Sequence, residues 1–229
     1  MSILDKKIKI VVINGSPKGR KGNTNVIVSS LLKGAEEAGA QTTNIFLAEK
    51  NINHCTGCIT CWFKPGQCVI NDDMVEIISQ LGDANVIILA TPVYCENMTG
   101  LLKMFIDRLT MVANPYSYSN ATSQAVSTQQ EQVPQSPKLM MISTCGFPNK
   151  ETFDILAHWY KRFSQNMRTE SLGEIYVTRG KYLCDPPQEI SKAVSAYLLV
   201  VENAGREIAT KLQIADKTRE LLDTPFVTE

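Results

Sequence analysis

Residues 8–25 read Ile-Lys-Ile-Val-Val-Ile-Asn-Gly-Ser-Pro-Lys-Gly-Arg-Lys-Gly-Asn-Thr-Asn, and this stretch decides the fold. Its first half is a short β-branched run, apolar at nearly every position, which is typical of a strand buried on both faces of a parallel sheet. Its second half is a loop rich in glycine and polar side chains that opens a helix at about Asn23. Such a loop directs backbone N–H groups and the positive end of a helix dipole at a ligand above the strand, and a phosphate is the natural occupant.

The composition of this loop indicates which kind of phosphate-containing ligand it binds. It lacks the Gly-Lys-Ser/Thr ending of a triphosphate loop, and Ser16 stands where the dinucleotide fingerprint needs its second glycine. A loop of hydroxyl and amide donors suits a terminal phosphate monoester, and Arg20 and Lys21 add positive charge. The predicted phosphate-binding residues are Ser16, Lys18, Asn23, Thr24 and Asn25. The alternative is an ordinary strand-to-helix loop in which Asn23 or Thr24 caps the helix.

The composition of the chain excludes several function classes. Its 229 residues suffice for one α/β domain with additions. Lys plus Arg and Asp plus Glu number 23 each, so no nucleic-acid or membrane-surface partner is indicated. No apolar run reaches the roughly 18 residues of a membrane span, and the N-terminus does not resemble a signal peptide. Seven cysteines predict a reducing, cytoplasmic location, with metal or catalytic use favoured over disulfides.

Apolar strand patterns alternate with helical patterns along the chain, which predicts an α/β fold with a doubly wound, five-stranded parallel sheet. The common strand order for five strands is 2-1-3-4-5. We expect a single domain over residues 1–215, followed by a charged tail at 216–229 that is loose or packs on a neighbour. Two segments stand apart: a cysteine loop at 53–71, and a polar insert at 114–136 that suits a lid, a subunit contact or a disordered insert.

The loops that follow strands one, three and four lie at 15–25, 91–99 and 143–147. The carboxyl ends of parallel strands meet at one edge of the sheet, so these loops are expected to converge on one crevice. The alternative for Tyr94 is a half-buried core residue. Cys95 and Cys145 are expected to be small buried hydrophobes.

Four cysteines in the pattern Cys55-x2-Cys58-x2-Cys61-x6-Cys68 form the second informative motif. Structural zinc sites usually pair two Cys-x2-Cys turns across a dozen or more residues. Three cysteines at this x2-x2 spacing are typical of iron–sulfur proteins, and the fourth lies close enough to complete a single [4Fe–4S] site. Reduced thiols without metal and a zinc site remain open alternatives.

The stretch Thr91-Pro-Val-Tyr-x3-Met-x-Gly-x-Leu-Lys-x-Phe-Ile-Asp-Arg108 resembles the second flavin loop and following helix of the NADPH-dependent FMN reductase family. The phosphate loop resembles the family pattern Gly-Ser-Pro-(Lys/Arg)-x(n)-Asn-Thr. With the cysteine motif, the chain is similar to the iron–sulfur flavoprotein branch of that flavodoxin-like family. The resemblance covers residues 8 to about 180. Cys95-Glu96-Asn97 departs from the small residues common at that position.

The resemblance implies an FMN cofactor and, in this branch, a [4Fe–4S] cluster bound by Cys55, Cys58, Cys61 and Cys68. It implies that the phosphate loop holds the FMN phosphate. The residues expected at the flavin ring are Pro92, Val93, Tyr94, Asn97, Thr144, Cys145 and Gly146. It also implies a homodimer or homotetramer, because in this branch one subunit's cluster lies towards a neighbour's flavin.

The predicted function is electron transfer between FMN and the cluster, with no catalytic acid or base required. NAD(P)H is the possible donor, and a quinone or a ferredoxin-like carrier is a possible partner. The first alternative is an NAD(P)H-dependent FMN or quinone reductase whose cysteines carry no metal. The second is a non-catalytic flavin-binding adaptor that contacts a protein through the polar insert.

Overall fold

A computed structural model describes residues 7–64, 66–112 and 136–227. Five strands form one parallel sheet in the order β2-β1-β3-β4-β5, which confirms the predicted flavodoxin-like topology. The strands are β1 (Lys9–Asn14), β2 (Gln41–Phe46), β3 (Val86–Pro92), β4 (Lys138–Thr144) and β5 (Ser171–Val177).

Helices cover both faces of the sheet. They are α1 (Asn23–Glu37), α2 (Thr60–Phe63), α3 (Met74–Leu81), α4 (Gly100–Arg108), α5 (Asp154–Asn166), α6 (Gln188–Lys211) and α7 (Asp216–Asp223). Side chains of β1 alternate between the faces: Ile10 and Val12 pack with α1 and α6, whereas Val11 and Ile13 pack with α3, α4 and α5. All four are fully buried, as the apolar run predicts for a strand covered on both sides.

Three segments differ from the sequence-based expectation or fall outside it. The cysteine loop contains the short helix α2, which is too brief to show a periodic pattern. Residues 216–227, assigned to the tail, begin with α7, which packs against α6: Thr218 and Leu222 are buried, and Tyr197 Oη donates to the Leu222 carbonyl at 3.1 Å. Apart from Ser136, the predicted polar insert lies outside the described residues. Among the described helices, none combines the length and apolarity that crossing a membrane demands.

Candidate functional site

The phosphate loop leaves β1 at Asn14 and remains tied to the sheet. Gly15 N donates to the Ala90 carbonyl at 2.7 Å, and the Asn14 side-chain oxygen accepts from Ser16 N at 3.1 Å. Gly15 also lies against α4, because a Cβ at this position would come within 2.7 Å of Leu102 Cβ. The loop therefore has a defined shape next to the carboxyl end of β3.

The N-terminus of α1 has the features of an anion site. Gly22 precedes the helix in an extended conformation and, being glycine, has no side chain with which to cap it. The first amides of a helix have no intrahelical acceptor, so they are available to an anion. A Cβ on Gly22 would lie 2.5 Å from Ser16 Oγ, so any other residue at position 22 would displace the serine hydroxyl.

The ends of β3, β4 and β5 are joined by backbone hydrogen bonds beyond the strands. Val93 N donates to the Thr144 carbonyl at 2.9 Å, and Cys145 N donates to the Val177 carbonyl at 3.0 Å. Gly180 N donates back to the Cys145 carbonyl at 2.7 Å. These bonds form a continuous rim opposite the phosphate loop.

The phosphate loop and this rim enclose a cavity of about 160 Å³. Its lining includes ten of the twelve predicted cofactor residues: Ser16, Lys18, Asn23, Thr24, Pro92, Val93, Tyr94, Thr144, Cys145 and Gly146. Gly22, Gly180 and Lys181 also line it. Sequence reasoning missed Gly180 and Lys181 because it considered the ends of three strands, although the carboxyl end of β5 faces the same edge of a parallel sheet.

The other two predicted residues, Asn25 and Asn97, do not line the cavity. Asn25 Oδ1 accepts from Asn44 Nδ2 at 3.0 Å, and Asn25 Nδ2 donates to the Arg20 carbonyl at 3.0 Å. Asn97 closes a tight turn with Tyr94 through two backbone hydrogen bonds of 2.8 and 3.0 Å. Both asparagines therefore shape the loops around the cavity.

The basic residues of the phosphate loop have different surroundings. Lys18 lines the cavity. Arg20 instead pairs with Glu49 at 3.0 Å and lies over the Phe46 ring at 4.4 Å, so its charge is directed to the end of β2. Lys181 lines the cavity from the β5 side, and its ammonium lies 4.8 Å from the centre of the Tyr182 ring.

The turn from Tyr94 to Asn97 has an unusual backbone. Cys95 and Glu96 have φ values of 48° and 62°, the pair of positive angles found in a type I′ turn. The turn exposes Cys95, so the expectation that this cysteine is buried is wrong. Cys145 is buried as expected, its thiol donates to the Phe147 carbonyl at 3.3 Å, and burial raises the pKa of this thiol.

The four cysteines of the predicted metal motif, Cys55, Cys58, Cys61 and Cys68, line a second cavity of about 100 Å³. Two of the sulfurs accept backbone hydrogen bonds: Gly57 N lies 3.4 Å from Cys55 Sγ, and Ile70 N lies 3.5 Å from Cys68 Sγ. The backbone N–H of Thr60 is the main cause of a lowered pKa at Cys58. Within residues 7–64, 66–112 and 136–227, no three His, Cys, Asp or Glu side chains are grouped closely enough to hold one metal ion.

A buried ion pair lies behind this cavity. Arg108 Nη1 and Nη2 donate to the two carboxylate oxygens of Asp72 at 2.6 and 3.1 Å, and both side chains are almost completely inaccessible to solvent. Burial opposes ionisation of Asp72, but hydrogen bonds from Arg108 and from the amides of Asn53 and Met74 outweigh it. The pKa of Asp72 is therefore lowered to about 2.

Residues 8–168 match the family model described as NADPH-dependent FMN reductase. The chain belongs to the NADPH-dependent FMN reductase family. An iron-sulfur flavoprotein of Archaeoglobus fulgidus is 41% identical over 102 residues, which are 44% of this chain and 46% of that protein. An iron-sulfur flavoprotein of Methanocaldococcus jannaschii is 41% identical over 101 residues, covering 44% of this chain and 51% of that one. The chain spans about half the length of these curated relatives.

Solved structures of reductases and oxidoreductases share the fold of this chain. An FMN-dependent NADH-azoreductase of Bacillus anthracis, solved with FMN, aligns with a TM-score of 0.59 at 15% identity, over 89% of this chain and 100% of that chain. An NAD(P)H:quinone oxidoreductase of Methanothermobacter marburgensis aligns with a TM-score of 0.60 at 13% identity, over 89% and 98% of the two chains. At such identities the likeness concerns the fold.

Proposed function

We propose that this protein is an FMN-dependent oxidoreductase of the iron–sulfur flavoprotein type. The arrangement of the cysteines carries the proposal: all four line the smaller of the two cavities described above, and the phosphate loop bounds the larger one. Family membership supports FMN as the occupant of the larger cavity. The names of the curated relatives support an iron–sulfur centre at the smaller one.

The residues around the larger cavity fit FMN. Three groups are suited to the phosphate: the first amides of α1, the Ser16 hydroxyl, for which Gly22 leaves room, and the Lys18 side chain. The backbone after β3 and β4 is suited to the edge of the flavin ring, with Tyr94 half exposed at the opening. The rim hydrogen bonds hold this backbone in a fixed shape, so the polar groups that it presents to a flavin ring can tune the flavin potential without moving.

The residues around the smaller cavity fit a cluster better than a zinc ion. Four ligands of one zinc ion must lie about 2.3 Å from a single point. Among the described residues no three such side chains are grouped that closely, and the four cysteines line a cavity of about 100 Å³. A [4Fe–4S] cluster binds each thiolate through a different iron, so its ligands stand farther apart. Backbone N–H groups beside Cys55 and Cys68 supply the hydrogen bonds to sulfur that stabilise thiolate ligands.

When bound, FMN exchanges electrons singly or in pairs and a [4Fe–4S] cluster passes single electrons, so the protein's own residues bind and orient the two groups. We propose that electrons pass from a nicotinamide donor to an acceptor that is a quinone or a ferredoxin-like carrier.

All seven cysteines are free, which suits a reducing cytoplasm. A homodimer or homotetramer remains the proposed assembly, and sedimentation of the purified protein tests it.

The deciding experiment is purification without oxygen, followed by a visible spectrum and by iron and acid-labile sulfide analysis. We expect flavin bands on a broad brownish absorption, with about four iron and four sulfide per chain. Cys61→Ala should lose most of the iron, whereas the matched control Cys184→Ala, which lies outside the cysteine loop, should keep it. Flavin bands without iron, even after anaerobic reconstitution, would contradict the cluster.

FMN binding is tested separately with two lysine variants. Lys18→Met should weaken FMN affinity by about three- to tenfold at low salt, since an exposed charge near a phosphate contributes modestly and is screened. Lys21→Met is the matched control, because Lys21 belongs to the same loop but is not among the residues that line the cavity. Equal effects of the two variants would argue against a phosphate beside Lys18.

The second candidate function is an NAD(P)H-dependent reductase whose cysteines carry no metal. The family model, which is described as NADPH-dependent FMN reductase, favours it. It predicts NAD(P)H oxidation by FMN-loaded protein in the presence of a quinone, at a rate unaffected by Cys61→Ala. Loss of acceptor reduction in Cys61→Ala with FMN still bound would favour the cluster protein instead.

A further inference from the structure

Arg108 is the last residue of α4 and is only 2% exposed. A buried guanidinium requires acceptors for its charge and its N–H groups. Arg108 Nη1 donates to the Asn53 carbonyl at 2.7 Å as well as to Asp72, and Asp72 Oδ2 accepts from Asn53 N at 2.9 Å. Asn53 begins the cysteine loop and Asp72 directly follows it, so this one cation fastens both ends of the loop together.

The same guanidinium reaches a cysteine. Arg108 Nη2 lies 3.4 Å from Cys68 Sγ, and both residues line the cavity surrounded by the four cysteines. An arginine side chain stays charged at any pH at which the protein folds, so its N–H groups remain donors to the sulfur. Since Ile70 N also donates to Cys68 Sγ at 3.5 Å, this sulfur has two donors that fix its direction.

The opposite end of α4 contacts the phosphate loop. Thr99 caps α4 by accepting from Leu102 N at 3.3 Å, and its hydroxyl donates to the Gly15 carbonyl at 2.6 Å. Thr99 N also donates to Thr91 Oγ1 at 3.1 Å. A single nine-residue helix therefore runs from the phosphate loop to the cysteine loop.

We propose that Arg108 is the positioning residue of the cysteine site: it closes the base of the loop through Asn53 and Asp72, and it directs the Cys68 sulfur towards the cavity. Through α4 it also sets the position of this site relative to the phosphate loop. The role towards a cluster rests on the proposed function. The role in the loop does not, because it concerns contacts within the chain itself.

The first test is hydrogen exchange of the backbone amides in residues 51–64 and 66–74 of metal-free, FMN-loaded protein. Arg108→Lys keeps the charge but cannot reproduce a two-armed bond to Asp72 together with contacts to Asn53 and Cys68. We expect these amides to exchange about tenfold faster in this variant. Lys103→Met is the matched control: it breaks an exposed ion pair with Asp107 on the same helix and should leave the exchange unchanged.

The second test is the reduction potential of the centre after anaerobic reconstitution, which a purely structural role would not move. Loss of the Arg108 hydrogen bond to the Cys68 sulfur should make the potential more negative in Arg108→Lys than in Lys103→Met. Unchanged potential and unchanged exchange would overturn the proposal. If the unaltered protein takes up no iron, the proposed function fails, and the exchange experiment still decides the role of Arg108.

A second variant guards against misfolding of Arg108→Lys. The double substitution Arg108→Met with Asp72→Leu replaces the buried pair by apolar side chains, which is often neutral or stabilising for a fold. We expect this variant to retain FMN binding and a cooperative unfolding transition while its loop amides exchange faster. Loop protection equal to that of the unaltered protein would overturn the proposal.

Discussion

The hydroxyl oxygens of Thr24 and Thr144 lie 2.8 Å apart in the buried wall of the larger cavity and join the first turn of α1 to the end of β4. The two residues are 1% and 3% exposed. This bond links the phosphate side of the cavity to the rim on which we place the flavin ring. One hydrogen bond thereby fixes the distance between two parts of a proposed FMN site.

Replacing one partner of this hydrogen bond should lower the free energy of unfolding by more, per substituted residue, than replacing both partners together. Thr24→Val or Thr144→Val alone leaves a buried hydroxyl without its partner, and we expect each to lower the free energy of unfolding by about 1–3 kcal/mol. The double variant should recover part of that loss, because two methyl groups can face each other. Urea unfolding of the FMN-free unaltered protein, the two single variants and the double variant measures these free energies. Additive losses in the double variant would show that the bond contributes no coupling.

Gly22→Ala should weaken FMN binding with little loss of stability. The φ of Gly22 is −80°, so alanine is allowed there, but the added Cβ would lie 2.5 Å from Ser16 Oγ and displace that hydroxyl. We expect at least a tenfold loss in FMN affinity, which corresponds to about 1.4 kcal/mol. Titration of apoprotein by flavin fluorescence measures it. Gly100→Ala is the control, since its Cβ would enter open space; affinity unchanged in Gly22→Ala would contradict a phosphate beside Ser16.

The Tyr94–Asn97 turn should become more stable when glycine replaces Glu96. A non-glycine residue at φ 62° is strained, and relief of that strain should raise the free energy of unfolding by up to about 1 kcal/mol. Thermal unfolding measured by circular dichroism reports the change. Glu189→Gly, in the first turn of α6, is the comparison and should destabilise by about 0.5–1 kcal/mol. Equal losses in both variants would mean that the turn stores no strain.

Features that depend on whole secondary-structure elements could be predicted from the sequence, whereas contacts between residues far apart in the chain could not. The buried run before Asn14 and the alternation of strands with helices predicted the parallel sheet, because burial and connection rules act on whole elements. Its strand order was predicted as the common solution for five strands. The sequence also placed Ser16 and Thr144 at one cavity, since parallel strand ends share an edge. It did not find Lys181, although the same rule applied to β5 would have done so.

Other features lay beyond any local pattern. Asn25 is predicted at the phosphate, and in the structure its side-chain oxygen accepts a hydrogen bond from Asn44 of β2. Only the folded chain brings these two residues together. The link from Arg108 to Cys68 spans 40 positions and has no sequence signature. Exposure of Cys95 follows from a type I′ turn, and Cys-Glu lacks the Asn-Gly composition that predicts one.

The buried pair of Asp72 and Arg108 predicts a loss of stability in acid. The pKa of Asp72 in the folded protein is about 2, below its ordinary value of about 3.9 in an unfolded chain. The unfolded state therefore binds the proton first, so the contribution of Asp72 is fully present above about pH 5 and declines as the pH falls towards 2. A shift of this size corresponds to about 2.5 kcal/mol at neutral pH.

Urea unfolding of metal-free protein between about pH 3 and pH 7 measures this dependence, with Asp72→Asn as the reference. At neutral pH the variant should be about 3–5 kcal/mol less stable, because asparagine leaves the Arg108 charge buried and unpaired. The gap should narrow towards pH 3, where the unfolded chain already carries a protonated Asp72 and about half of the contribution is lost. A gap that stays constant over this range would mean that Asp72 titrates alike in the folded and unfolded states. The stability of the cysteine loop would then owe nothing to the ionised pair.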